Sequence, residues 1–142
     1  MSAAPENRSN GASASPRTVM LVEDETLLRK ITGDTLRDAG YRVLEAIDGV
    51  EALEVLRQTD DVGLLITDIK MPRMDGYQLT RAALEIHPSL QVVLVSGYDP
   101  VPQQVLDAKV RIIPKPFDFD LLLILVRTIL GPGEAVTGGA GR

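Results

Sequence analysis

Apolar and polar residues alternate along this chain in blocks, and the blocks change period. Short β-rich runs, TVMLV, GLLIT, QVVLV and VRIIP, alternate with stretches whose apolar residues recur at helical spacing. Unbroken apolar strands separated by amphipathic helices predict βαβ units and a parallel sheet covered on both faces. Five repeats fit. Strand one is Thr18 to Val22, followed by a helix from near Glu25 using Leu27, Leu28, Ile31, Thr35 and Leu36, with Gly40 as its stop. Strand two is Arg42 to Glu45; Asp48-Gly49 forms a turn or cap, and Val50, Leu53 and Leu56 form the next helix's buried stripe. Strand three runs from Gly63 to Thr67, and a third helix places Leu79, Ala82, Ala83 and Ile86 on one face before His87-Pro88 ends it. Strand four is Gln91 to Val95. Two prolines in SGYDPVP should delay or shorten the helix that follows, making that connection a mobile candidate. Strand five is Val110 to Ile113, and a last helix covers about Asp118 to Leu130. There Phe119, Leu122, Leu125, Val126 and Ile129 share a face, which leaves Leu121 and Ile124 as a contact surface.

Composition narrows the chemistry. The 142 residues contain no cysteine and one histidine, His87, so disulfide scaffolds, thiolate chemistry and Cys- or His-rich metal sites are excluded. A net charge of -5 argues against direct nucleic-acid binding by the whole domain, because phosphate backbones demand clustered lysine and arginine. Residues 1–17 read as a disordered tail, 18–130 as one domain and 131–142 as a flexible tail. No apolar run approaches the roughly 20 residues of a membrane span, which predicts a soluble, cytoplasmic protein.

Four of the strands end at polar residues: Glu23-Asp24, Asp68, Ser96 and Lys115. In an open parallel sheet these ends reach one edge, where ligands bind. Each residue alone has a plainer reading, and taken singly that reading is the better one. Glu23 and Asp24 suit a helix start, Asp68 a turn, Ser96 a Ser-Gly turn, and Lys115 a solvated position between prolines. Together they collect three carboxylates, a hydroxyl and an ammonium. Crowded carboxylates raise one another's pKa unless a cation intervenes, and Mg²⁺ takes one or two carboxylates with waters and phosphate oxygens.

VEDE at 22–25, LLITDIKMPRMDG at 64–76, VLVSGY at 93–98 and KPF at 115–117 resemble the receiver domains of bacterial two-component response regulators. The resemblance implies a flavodoxin-like, doubly wound (βα)5 fold, with Asp68 as phosphoacceptor. It further implies Mg²⁺ on Glu23, Asp24, Asp68 and the Lys70 backbone carbonyl, with Ser96 and Lys115 stabilising the phosphoryl group. A cis Lys115-Pro116 bond is expected. Implied partners are a histidine kinase or phosphotransfer protein, an unknown downstream protein and, through the face of the fourth helix, fifth strand and last helix, a second copy. Ile112 stands where receivers usually place an aromatic switch residue, so Tyr98 becomes the switch candidate. Lys70 and Tyr98 flank the path of an attacking water, which suggests slow phosphoryl loss. Met71 and Met74 read as loop packing. A receiver is a switch that assists its own phosphorylation rather than an enzyme. An aspartate-nucleophile phosphatase would need an acid at position 70, which is lysine. A pseudo-receiver docking module would not need the complete set of acids, serine and lysine.

Overall fold

The computed structural model describes residues 17–97 and 108–133. Five strands form one parallel sheet: β1 (Thr18–Val22), β2 (Arg42–Ala46), β3 (Val62–Asp68), β4 (Gln91–Ser96) and β5 (Val110–Pro114), in the order β2-β1-β3-β4-β5. Four described helices, α1 (Thr26–Asp38), α2 (Gly49–Gln58), α3 (Gly76–Ile86) and α4 (Phe119–Leu130), cover its two faces. The segment expected to hold a helix between β4 and β5, including Tyr98, falls in 98–107, outside the described residues.

Alternate side chains of a strand point to opposite faces, so each strand feeds two cores. Met20, Val22, Leu65, Val92 and Leu94 pack with Leu53 and Leu56 of α2 and Leu79 and Ala83 of α3. Val19, Leu21, Leu64, Ile66, Val93 and Val95 pack on the other face with Leu36 of α1 and Leu122 and Val126 of α4. The central strands are buried on both sides, which is why they read as unbroken apolar runs.

Local chemistry sets the helix starts. Asp48 caps α2 by accepting from Glu51 N at 2.9 Å, and Asp75 caps α3 in a reciprocal box with Gln78. Asp118, expected as the first residue of the last helix, is its cap and accepts from Asp120 N at 2.7 Å. At the opposite sheet edge the chain enters at Arg17, whose carbonyl accepts from Arg42 N. The buried Tyr41 hydroxyl donates to Gly131 O at 2.6 Å just after α4.

Two helical stripes differ from expectation. Leu27 and Ile31 are 64% and 42% exposed, because the inner face of α1 carries Arg29, Thr32, Gly33 and Leu36 instead. That face meets Glu45 of β2, which pairs with Arg29 at 3.5 Å and Arg37 at 2.8 Å, so ion pairs there replace part of the apolar packing. Val50 is likewise exposed, and Ala52 joins Leu53 and Leu56 in the buried stripe of α2. Leu121 and Ile124 are exposed, as their spacing requires. Met71 and Met74 pack against the core.

Candidate functional site

Parallel strands deliver their carboxyl ends to one edge, and the register aligns Val22 with Thr67 and Asp68 with Val95. Glu23 and Asp24 therefore lie beside Asp68, with Ser96 one strand further along. Lys115 follows β5 and is held by its backbone N–H, which donates to Ser96 O at 2.7 Å. The Lys115-Pro116 bond is cis, as expected.

The structure brings these residues together. Lys115 Nζ lies 3.3 and 3.2 Å from the two oxygens of Asp68 and 3.4 Å from Glu23 Oε1. Beside them opens a cavity of about 330 Å³ lined by Asp24, Asp68, Ile69, Lys70, Val95, Ser96, Gly97 and Lys115. Glu23, Asp68 and Ser96 are buried, whereas Asp24 is exposed. One carboxylate oxygen from each of Glu23, Asp24 and Asp68 lies within 4.8 Å of the others.

Electrostatics divides the acids. Burial pushes the Glu23 carboxyl up to about 7 from an ordinary 4.5, and the neighbouring Asp68 adds to the rise against the pull of Glu25 N–H and Lys115. Burial, more than carboxylate crowding, is thus the main cause. Burial also works against the Lys115 ammonium, but Asp68 and Glu23 outweigh it and hold its pKa above the usual value. A buried acid that resists ionisation beside a second acid is a place where positive charge is welcome. The donor set consists of hard oxygens, so the residues present fit Mg²⁺.

Backbone packing fixes the loop after Asp68. Ile69 N donates to Val95 O at 3.2 Å and Gly76 N to Ile69 O at 2.7 Å, closing the loop on itself. Position 76 must be glycine, because a Cβ there would lie 2.3 Å from Asp68 O. Lys70 lines the cavity mouth, while Ile112 stands half-buried against the core, away from the cavity lining.

Arg29 was not singled out from the sequence. Its guanidinium donates to Glu23 O at 2.8 Å while pairing with Glu45, so it steadies the backbone of the acidic turn. Its signal was available: Arg29 lies about two turns from Leu36 and therefore on the buried face. Asp48 was read only as a turn or cap; it also pairs with Arg73 of the loop.

Comparison with known proteins agrees with this geometry. The family model of the response regulator receiver domain matches residues 19–127. The chain is 39% identical over 117 residues to the sensor kinase CckA of Brucella abortus, covering 80% of this chain but 12% of the kinase. It is 36% identical to the response regulator receiver protein CpdR of the same organism, covering 71% of this chain and 86% of that protein. The crystal structure of a response regulator receiver protein from Sinorhizobium medicae superposes with a TM-score of 0.73 at 31% identity, covering 83% of this chain and 95% of that one. Among the described residues no helix is long and apolar enough to cross a membrane. The match spans most of the sequence and both faces of the sheet, and the chain belongs to the response regulator receiver domains of two-component systems.

Proposed function

We propose that this chain is a phosphoacceptor switch in which Asp68 receives a phosphoryl group from a histidine kinase or phosphotransfer protein. The observation that carries the reading is the Lys115 ammonium, held 3.2 to 3.4 Å from Asp68 and Glu23 beside an open cavity. A carboxylate oxygen of Asp68 attacks phosphorus in line; an O–P bond forms, the P–N bond to the donor imidazole breaks, and the imidazole leaves with its electron pair and takes up a proton. Lys115 offsets the charge that gathers on the phosphoryl oxygens, and Ser96 offers them a hydroxyl donor. Glu23, Asp24, Asp68 and the Lys70 carbonyl would hold Mg²⁺, which when bound supplies charge neutralisation for carboxylate and phosphoryl oxygens.

The product, a mixed anhydride carrying about -1.5 to -2 charges, draws the Ser96 hydroxyl toward the phosphoryl oxygens and shifts a pre-existing equilibrium of the output face. The exposed Leu121 and Ile124 of α4 contribute to that face, and output passes through protein contact rather than through DNA bound by this domain. To test the reading, the protein is incubated with Mg²⁺ and acetyl phosphate and its intact mass compared with that of Asp68→Ala. The wild type should gain the mass of one phosphoryl group, only with Mg²⁺, and the variant none. An unchanged wild type, or equal gain by the variant, refutes it.

A further inference from the structure

The loop after Asp68 contains a backbone conformation that its sequence does not favour. Arg73 has φ of 71°, where an L side chain crowds its own carbonyl, and Met74 N donates to Pro72 O at 2.8 Å across it. Positive φ closed by such a two-residue bond is the rare, strained form of γ-turn. Glycine would adopt it freely, yet the position holds arginine. Strain of this kind persists only where surrounding contacts over-determine it.

Those contacts come from the start of α2. The Arg73 guanidinium pairs with Oδ2 of Asp48, whose other oxygen accepts from Glu51 N at the start of α2. Asp48 is 4% exposed, so one buried carboxylate serves both as helix cap and as anchor for the loop. Next to it Met74 lies over Gly49, where a Cβ would come within 2.8 Å of the methionine sulfur. The arginine side chain is 62% exposed while its partner carboxylate is buried, so the pair ties an outer loop to the start of α2. Three residues upstream, Lys70 lines the cavity and carries the carbonyl proposed for the metal.

We infer that Arg73 and Asp48 form a latch that fixes the loop so that the Lys70 carbonyl faces the acidic pocket, making Arg73 a positioning residue for Mg²⁺. The inference rests on the proposed metal site. Groups that orient a ligand without touching the metal commonly set its affinity, and their loss weakens binding about tenfold or more. Glycine at this position separates the two roles of the native residue: Arg73→Gly relieves the backbone and loses the latch, whereas Arg73→Ala keeps the strain and loses the latch.

The experiment is calorimetric titration of Mg²⁺ into the wild type, Arg73→Ala, Arg73→Gly, Asp48→Asn and the double variant Arg73→Ala with Asp48→Asn, with urea unfolding of each. Asparagine retains an acceptor for the α2 cap while removing the charge that Arg73 pairs with. Arg73→Ala, Arg73→Gly and Asp48→Asn should each bind Mg²⁺ about tenfold more weakly, and the double variant no worse than the singles. Arg73→Gly should be more stable than Arg73→Ala despite equally weak binding. Wild-type affinity in Arg73→Gly, or additive losses in the double variant, overturns the latch. A wild type that binds no Mg²⁺ overturns the metal site along with it, which keeps the two failures distinct.

Discussion

The two edges of the parallel sheet are built from similar residue types toward opposite ends. At the edge where strands begin, polar groups find neutralising or hydrogen-bonding partners: Asp61 takes Arg42 at 3.0 Å and the Thr18 hydroxyl at 3.3 Å, and Tyr41 donates to Gly131 O. At the edge where strands end, two buried carboxylates, Glu23 and Asp68, both lie against the Lys115 ammonium, with Asp24 nearby. The first edge pairs most of its polar groups within the chain, Nε of Arg17 being buried without a hydrogen-bond partner. The second keeps an excess of negative charge that suits a cation and an incoming phosphoryl group, at a cost to the stability of the metal-free fold.

The strongest challenge to this contrast is Lys115→Met, which removes the cation paired with both buried acids. Phosphorylation by acetyl phosphate should slow by about 100-fold, measured as the rate of phosphoprotein formation by mass spectrometry. Stability in urea should fall as well, since the buried Asp68 then loses its ion-pair partner.

The next is a pH profile of urea unfolding without metal. Folded Glu23 keeps its proton up to about 7, while the unfolded chain releases it near 4.5. Between those values the folded state binds more protons, so stability should fall as pH rises through the window. Glu23→Gln should flatten this segment, and saturating Mg²⁺, by keeping folded Glu23 ionised, should flatten it too; an unchanged profile in Glu23→Gln would break the assignment to this acid. Asp68→Asn should raise the stability of the metal-free protein by about 1 kcal/mol while abolishing phosphorylation, the trade expected where function opposes stability.

At the other edge the signs invert. Tyr41→Phe should cost about 1 kcal/mol in urea unfolding through the unmet Gly131 carbonyl, with the phosphorylation rate unchanged. Asp61→Asn should cost least, under about 0.5 kcal/mol, because its partner Arg42 is largely exposed. A change in phosphorylation rate from either substitution would erase the division of labour between the edges.

The sheet was legible because burial on two faces leaves an unambiguous mark: Leu64, Leu65 and Ile66 can all be apolar only if neither side of the strand meets water. The convergence of the candidate site residues was legible for a related reason, since a parallel sheet sends every strand end to the same edge and Asp68, Ser96 and Lys115 needed only their strand positions to be placed together. Helix faces were harder. Leu27 lies about two and a half turns from Leu36, on the opposite side of α1, and apolar count alone could not rank the two faces. What decides it is Glu45, a charged residue on the following strand that draws Arg29 to the inner face and pairs with Arg37 at its rim. The Arg73 turn was hidden for a different reason: a backbone dihedral leaves no trace in residue type when the residue is not glycine.

The hydrogen bond from Tyr41 to Gly131, with Arg17 beside Arg42, has a consequence for attachment. Where this fold takes in its polypeptide and where α4 releases it are neighbours, and both lie a full strand length from Asp68. Cargo fused at either junction would hang from the base of the domain, leaving the rim around the aspartate clear for a visiting protein.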